Sequence, residues 1–245
     1  MSLPHASIRF RKLPYNCRQS GIFIWFPHAG GTSGAFIRQT SGQKLGMQTW
    51  VGVLPGREER HRETATDLQS LVREFDEALD TETDQPLILA GHSFGGLLAY
   101  LLAKRRCARG LPPRALVLLA VPPPDRLSLD DWSESEDHKL IEYLDQKYGA
   151  IPAAIRNNHD LLRYFLPVVR HDLRLMESYR HQPSEPLPLD LVICGGTEDH
   201  ALPASTLAGW QRFTQAGFTL KMFSGDHFFP YAHFVAIINS FSENE

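Results

Sequence analysis

The sequence predicts an α/β fold, a mostly parallel sheet with helices on both faces, and three observations predict it. Short apolar runs rich in β-branched and aromatic residues alternate with longer segments of helical spacing. Most of the short runs are apolar throughout rather than at every second residue, as in strands covered on both faces. Turn residues such as Pro27, Pro55-Gly56 and Gly91 close the runs. The 245 residues are about 1.6 times a common domain length, and the regular alternation favours one domain over 1–245.

The strand-like runs are Gly21–Phe26, Thr49–Leu54, Pro86–Ala90, Arg114–Val121, Leu189–Cys194 and Phe218–Phe223. Between the second and third, Thr66 offers an N-cap, and Leu68, Leu71, Val72, Phe75 and Leu79 then trace one helical face. Phe94–Arg109 is Ala/Leu-rich and ends on basic residues, as a helix C-terminus prefers. Ala204–Gln215 and Tyr231–Phe241 complete the set of expected helices. Between Pro122 and Pro188 the strand rhythm stops. Ser133-x-x-Glu136 reads as a capping box, with a helical stripe from Leu140 to Tyr148 ended by Gly149. Leu161 to Met176 makes a second stripe, which Pro167 is expected to kink or restart. Residues 125–185 therefore read as a helical insertion. Insertions of this kind sit near the C-terminal edge of a parallel sheet, where ligands bind, so a lid over a pocket is expected.

Composition excludes several classes. Hydrophobic residues are 42% and charged residues 22%, the balance of a soluble globular chain rather than a disordered one. The net charge of 25 − 28 = −3 argues against a nucleic-acid binder. No apolar run reaches the roughly 18 residues of a membrane span, and Met1 to Asn16 lacks a signal-peptide core. Cys17, Cys107 and Cys194 show no pairing or CxxC pattern, so reduced thiols and a cytoplasmic location are expected. No cluster has metal-ligand spacing, and no metal or cofactor is expected.

The sharpest motif is Gly91-His92-Ser93-Phe94-Gly95, a G-x-S-x-G between a strand and a helix. The turn lifts the Ser93 hydroxyl above the sheet edge at a helix N-terminus, and the flanking glycines avoid collisions across it. A serine hydroxyl needs a base, and in this arrangement the partners follow in the order Ser, acid, His. Of eleven histidines, His227 stands after the last strand and before the last helix, where the base belongs. His92 lies inside the turn and points elsewhere, and His138, His159, His171 and His181 read as surface residues of the insertion. Asp199 follows the strand that ends at Cys194 and is the preferred acid, with Glu198 and Asp125 as rivals; Asp226 reads as a turn residue. The oxyanion donors are expected to be the backbone N–H groups of Phe94 and of Ala29 in Pro27-His28-Ala29-Gly30-Gly31. His28 reads as a packing residue or a substrate contact. Leu54-Pro55-Gly56-Arg57 with Glu58 and Arg60 reads as a charged turn, either a surface ion-pair cluster or a substrate rim.

These residues together resemble the type II thioesterases that accompany nonribosomal peptide and polyketide synthases, within the α/β-hydrolase superfamily. Pro27-His28-Ala29-Gly30-Gly31, Leu54-Pro55-Gly56-Arg57, Gly91-His92-Ser93, Gly196-Thr197-Glu198-Asp199 and Gly225-x-His227-Phe228-Phe229 stand in that family's order, nearly end to end. His171-Asp172-Leu173 through Glu177 and Tyr179 is similar to its lid helix. Phe94 stands where the family commonly has methionine, and its ring is expected to narrow the acyl entrance; Asp226 replaces a frequent glycine. The resemblance implies the triad Ser93, Asp199 and His227, with oxyanion donors Ala29 and Phe94. It implies removal of aberrant or stalled acyl groups from the 4'-phosphopantetheine arm of acyl or peptidyl carrier proteins, by a monomer without its own cofactor. A start at Met1 favours the stand-alone form over a chain-releasing domain of a larger synthase. A carboxylesterase or lipase with the same triad, and a non-catalytic hydrolase-fold binding protein, are the competing readings.

Overall fold

The computed structural model describes residues 8–13, 21–127, 130–149, 151 and 153–241. Its strands are β1 (Phe10–Lys12), β2 (Ile22–Phe26), β3 (Gln48–Gly52), β4 (Leu87–His92), β5 (Ala115–Leu119), β6 (Asp190–Gly196) and β7 (Phe218–Phe223). Its helices are α1 (Ser33–Thr40), α2 (Leu68–Glu82), α3 (Phe94–Ala108), α4 (Asp137–Tyr148), α5 (Ala153–Arg156), α6 (His159–Glu177), α7 (Ala204–Leu207) and α8 (Pro230–Asn239). The sheet order is β1-β3-β2-β4-β5-β6-β7, parallel throughout except for β1, which pairs antiparallel with β3. The expected α/β architecture is borne out.

Strand β2 shows why its sequence is apolar without alternation. Every residue from Ile22 to Phe26 is buried. Successive side chains leave opposite faces of a strand. Trp25 meets Phe36 of α1 and Phe234 of α8, whereas Phe26 meets Phe75 of α2. Both faces thus have a helical layer to fill, and a polar residue at either would lose water for nothing. On α2 the predicted stripe Leu68, Leu71, Val72, Phe75 and Leu79 is buried, each side chain contributing roughly 1.5–3 kcal/mol of burial.

Asp76 shares that inward face and is fully buried. It accepts hydrogen bonds from Arg105 Nε at 2.6 Å, Arg106 Nη1 at 2.9 Å and Arg109 Nη1 at 2.7 Å. The basic end of α3 therefore clamps α2, besides complementing its own helix dipole.

Several local expectations are corrected. Asp67, not Thr66, caps α2; its carboxylate accepts Ser70 N–H at 2.7 Å and also holds the Thr66 hydroxyl. The Ser133/Glu136 capping box does not form, because the Ser133 N–H and hydroxyl both bond Glu177 of α6, and α4 starts at Asp137. The helix expected over Ala204–Gln215 is one α turn followed by a 3₁₀ segment, Ala208–Phe213. Helix α6 runs through Pro167 as one element. Two elements outside the insertion had no expectation. β1 is three residues long, too short for a pattern. α1 grows directly out of the glycine-rich stretch, its first N–H groups taken by Thr32 Oγ1 and the Glu58 carboxylate. Cys107 and Cys194 are free thiols; Cys17 lies outside the described residues.

Strand order positions the site. The chain leaves β2 towards β3 on one side and returns to β4 on the other, so a crevice opens at the C-terminal ends of β2 and β4. The loop after β2 begins at Pro27, and the turn after β4 carries Ser93. Helices α4, α5 and α6 lie between β5 and β6 in the chain.

The Asp76 clamp yields a stability prediction. Asp76→Ala leaves a partly buried cluster of guanidinium groups without their shared acceptor and is expected to lower the unfolding free energy by about 3 kcal/mol. Urea denaturation at neutral pH measures it; a loss too small to resolve would mean that the cluster is solvated and inert.

Candidate active site

Ser93 stands between the end of β4 and the start of α3 with φ 53° and ψ −114°. A non-glycine residue at positive φ is strained by about 1–3 kcal/mol and persists only where its surroundings impose it. The impositions are visible. Ser93 N–H donates to Leu119 O of β5 at 2.9 Å, and Ser93 O accepts from Gly96 at 2.9 Å and Leu97 at 3.1 Å. A Cβ at Gly91 would lie inside 3.0 Å of the Gly95 carbonyl, closer than real Cβ atoms come. A Cβ at Gly95 would strike the Phe26 carbonyl of β2 instead. The first glycine is thus needed across the turn, as expected; the second is needed against the neighbouring strand.

His227 is buried, and its Nδ1 lies 2.8 Å from Asp199 Oδ2. A carboxylate only accepts, so Nδ1 carries a proton, and the neutral ring has its lone pair on Nε2. Asp199 is buried too, and its other oxygen accepts Ala201 N–H at 3.1 Å. Of the three acids weighed from sequence, Asp199 is the one whose carboxylate meets the His227 ring. Asp125 pairs with Arg212, and Glu198 accepts Gly225 N–H at 3.3 Å. Asp226 accepts Phe228 N–H at 2.7 Å, as a turn residue does.

Ser93 and His227 line the same two chambers. One, of about 50 Å³, is bounded by His28, Ala29, Leu173 and Phe228, and the other, of about 210 Å³, by Ala120, Pro122, Leu127 and Leu202. Tyr148 of α4 and Met176 of α6 border both. The Tyr148 ring sits 4.6 Å from the His227 ring, centroid to centroid. Burial pushes the Tyr148 phenol above its ordinary range, so it stays neutral. A groove of about 510 Å³, lined by residues including Thr32, Arg38, Phe165 and Tyr231, shares His28 and Phe228 with the smaller chamber. No hydrogen bond among the described residues occupies the Ser93 hydroxyl, and none uses the N–H of Ala29 or of Phe94, the first orphan donor of α3. The Phe94 ring lies wholly in the core and lines neither chamber, so the narrowed acyl entrance expected of it does not arise.

Three contributors escaped the sequence reading. His92 is fully buried, and its Nε2 donates to the His227 carbonyl at 2.9 Å, holding the His227 backbone from behind. His28 donates from Nδ1 to Ala29 O at 2.8 Å and accepts the Tyr231 hydroxyl on Nε2 at 2.7 Å. Burial, with the charges of His227 and Arg57, drives the His28 pKa down to about 4 against the opposing bond to Ala29. Arg57 is neither surface cluster nor rim. It is buried and donates to both carboxylate oxygens of Asp172, at 2.6 and 2.7 Å, and to Gly31 O at 2.9 Å. His171, read as a surface residue, is largely covered, its Nε2 3.1 Å from Ala65 O. The side chain of His92 was expected to point away from the cavity, and it does; the bond it makes had no signal in sequence, nor had Tyr231, which is 203 positions from His28. The Leu-Pro-Gly-Arg and His-Asp pairs were visible as motifs, but nothing local told that they meet.

Comparison with known proteins places this geometry. Residues 22–244 match the thioesterase domain family. This chain belongs to the thioesterase family. It is 32% identical over 234 residues to linear gramicidin dehydrogenase LgrE of Brevibacillus parabrevis, covering 89% of this chain and 86% of that one. Two other curated relatives, the AMB antimetabolite synthetase AmbE of Pseudomonas aeruginosa and the phenyloxazoline synthase MbtB of Mycobacterium tuberculosis, are longer, and the chain spans only 10–15% of them. Among solved structures, the type II thioesterase BorB of the borrelidin cluster superposes with a TM-score of 0.80 at 27% identity, over 98% of this chain and 97% of that one. YbtT, a type II thioesterase of the yersiniabactin pathway, reaches 0.85 at 24% identity over 96% of each and so speaks for the fold. The motif resemblance is borne out, and with it the α/β-hydrolase fold and an enzyme of the thioester hydrolase class. Among the described residues no helix is long and apolar enough to cross a membrane, and no cluster of His, Cys, Asp or Glu could hold a metal ion.

The His28 site of this thioesterase carries a pH signature. Between pH 6.5 and 4 the unfolded chain binds a proton at residue 28 that the folded chain refuses, so folding stability is full above 6.5 and declines as pH falls towards 4. His28→Gln is expected to flatten that decline. Urea midpoints at pH 7.5, 6 and 5 for both proteins measure it; parallel slopes would show that His28 does not contribute.

Proposed function

We propose that the chain is a stand-alone, type II editing thioesterase that hydrolyses aberrant or stalled acyl groups from the phosphopantetheine arms of carrier proteins in nonribosomal peptide or polyketide assembly. The observation that carries the chemistry is the buried Asp199–His227 hydrogen bond, which sets the tautomer of a ring on the wall of a chamber shared with the strained Ser93. The family match and the kinship with type II thioesterases support the substrate class.

The reaction runs in two halves. His227 Nε2 takes the Ser93 proton as Oγ attacks the thioester carbonyl carbon. The new oxyanion is met by the N–H groups of Ala29 and Phe94, each donor of this kind being worth roughly 3–4 kcal/mol of barrier. The C–S bond then breaks, and the pantetheine sulfur leaves with the proton from the imidazolium. A thiolate is a good leaving group, so this step asks less of the acid than an amide would. In the second half His227 takes a proton from water, whose oxygen attacks the acyl-serine. The carboxylic acid departs and Ser93 regains its proton. Asp199 holds the imidazole tautomer and stabilises the imidazolium in both halves. No cofactor of the enzyme's own enters these steps. Residues 125–185, with α4–α6, act as the lid of a single domain: Tyr148, Leu173 and Met176 shape the space beside Ser93. The enzyme acts as a monomer in the cytoplasm, beside the synthase it serves.

The test compares carrier proteins loaded with a panel of acyl groups against oxygen esters of the same acids. Carrier thioesters are expected to turn over faster, and Ser93→Ala to lose at least about 10³-fold. Preference for the oxygen esters would make the protein a carboxylesterase, carrier binding without any turnover would make it a binding protein, and undiminished release by Ser93→Ala would overturn the mechanism.

A further inference from the structure

In the loop from His28 to Gly31 most backbone groups are held, the exceptions being the N–H groups of His28 and Ala29 and the carbonyl of Gly30. His28 O accepts Gly31 N–H at 2.8 Å. The peptide unit between Ala29 and Gly30 is held at both ends: its carbonyl accepts from His28 Nδ1 at 2.8 Å, and its N–H donates to Asp172 Oδ2 at 2.8 Å. Gly31 O accepts from Arg57 Nη1. The N–H of Ala29 is the one donor among residues 29 to 31 that no bond uses.

We propose that the buried Arg57–Asp172 pair is a positioning device for catalysis, which sets the Ala29 N–H towards the oxyanion through the Gly30 N–H and the Gly31 carbonyl. This rests on the reading of Ala29 as an oxyanion donor. Asp172 belongs to α6, the long helix of the 125–185 insertion, while Ala29 follows β2, so the pair ties the covering helix to the donor loop. The surroundings leave the loop little alternative. Gly30 has φ +75°, and a Cβ there would lie 2.6 Å from Val169 Cγ2 and 3.0 Å from the Phe165 ring, both on α6. Glycine is required because the helix lies directly against this backbone. The carboxylate is 1% exposed and the guanidinium 5%. Burial pushes the Asp172 carboxyl up, but the charge of Arg57 and bonds from His171, Arg57 and Gly30 outweigh it and hold it below its ordinary value. The anion persists inside the protein, aimed at one backbone N–H.

A buried ion pair is a poor source of stability compared with a well-packed apolar pair. Its advantage here is direction: a charged acceptor fixes a peptide plane more firmly than packing can. Displacing a reacting-site donor by an ångström costs on the order of 100-fold in rate.

Four proteins test this: wild type, Asp172→Asn, Arg57→Met and the double variant Arg57→Met/Asp172→Leu. Turnover of a small acyl thioester, affinity for an alkyl boronic acid that forms a tetrahedral adduct on Ser93, and melting temperature are read for each. Asp172→Asn is expected to lower kcat roughly 10- to 100-fold with KM little changed, and to weaken the boronic acid by a comparable factor. The double variant is expected to recover melting temperature relative to Arg57→Met without recovering kcat, because the loop amide and carbonyl remain without partners. A loss confined to KM, wild-type boronate affinity in folded Asp172→Asn, or kcat that recovers together with melting temperature would reduce the pair to a structural role. Ser93→Ala assayed in parallel separates the two ideas. If it retains turnover, the serine mechanism itself fails, whatever the Asp172 variants do.

Discussion

Everything at the site depends on one backbone constraint: Ser93 held at positive φ between β4 and α3. The strain is not local to the pentapeptide. Leu119 O of β5 takes the Ser93 N–H, and the Phe26 carbonyl of β2 presses on Gly95. The turn is therefore clamped from both neighbouring strands of a sheet whose core strands are buried on each face. That sheet supplies the free energy that keeps a costly conformation populated. The same clamp places Ser93 at the N-terminus of α3, where the Phe94 N–H is unspent and the helix dipole favours negative charge.

Around this turn, polar groups are buried in a chain of bonds in which each orients the next. Asp199 orients the His227 ring, His92 holds the His227 backbone, His28 holds Ala29 O, and Asp172 holds Gly30 N–H. Buried polar groups are costly unless partnered, and partnered they rigidify what they touch. A pocket walled by apolar side chains alone could enclose an acyl group but would not hold an imidazole and two amides to the tolerance that the mechanism we propose requires. The low pKa of His28 belongs to the same design. A neutral ring donates to Ala29 O and accepts from Tyr231 at once, and a protonated ring could not accept.

The legibility of this protein in its sequence divides by distance. The strands were readable because continuous apolar runs report burial on both faces, as β2 and β4 demonstrate. The α2 stripe was readable for the same kind of reason. Boundaries and caps were less so: Asp67 displaced Thr66 by one position, and Ser133 gave its bonds to Glu177 of another helix instead of its own. Competition between a local cap and a distant carboxylate is decided by where the distant element lands, which a local pattern does not encode. β1 was too short to show a period.

What the sequence by itself determined is the local framework of the site: a strand-turn-helix with glycines only where a Cβ cannot fit, a histidine and an acid after later strands, and a glycine loop after the first long strand. These are local signals, because tight turns and chain order restrict residue type directly. What only the tertiary structure decided is partnership. Arg57 and Asp172 are 115 positions apart, and His28 and Tyr231 are 203 apart. Nothing in either segment distinguishes a solvated charge from a buried one until packing removes the water and leaves each polar group only the partners that the fold brings to it.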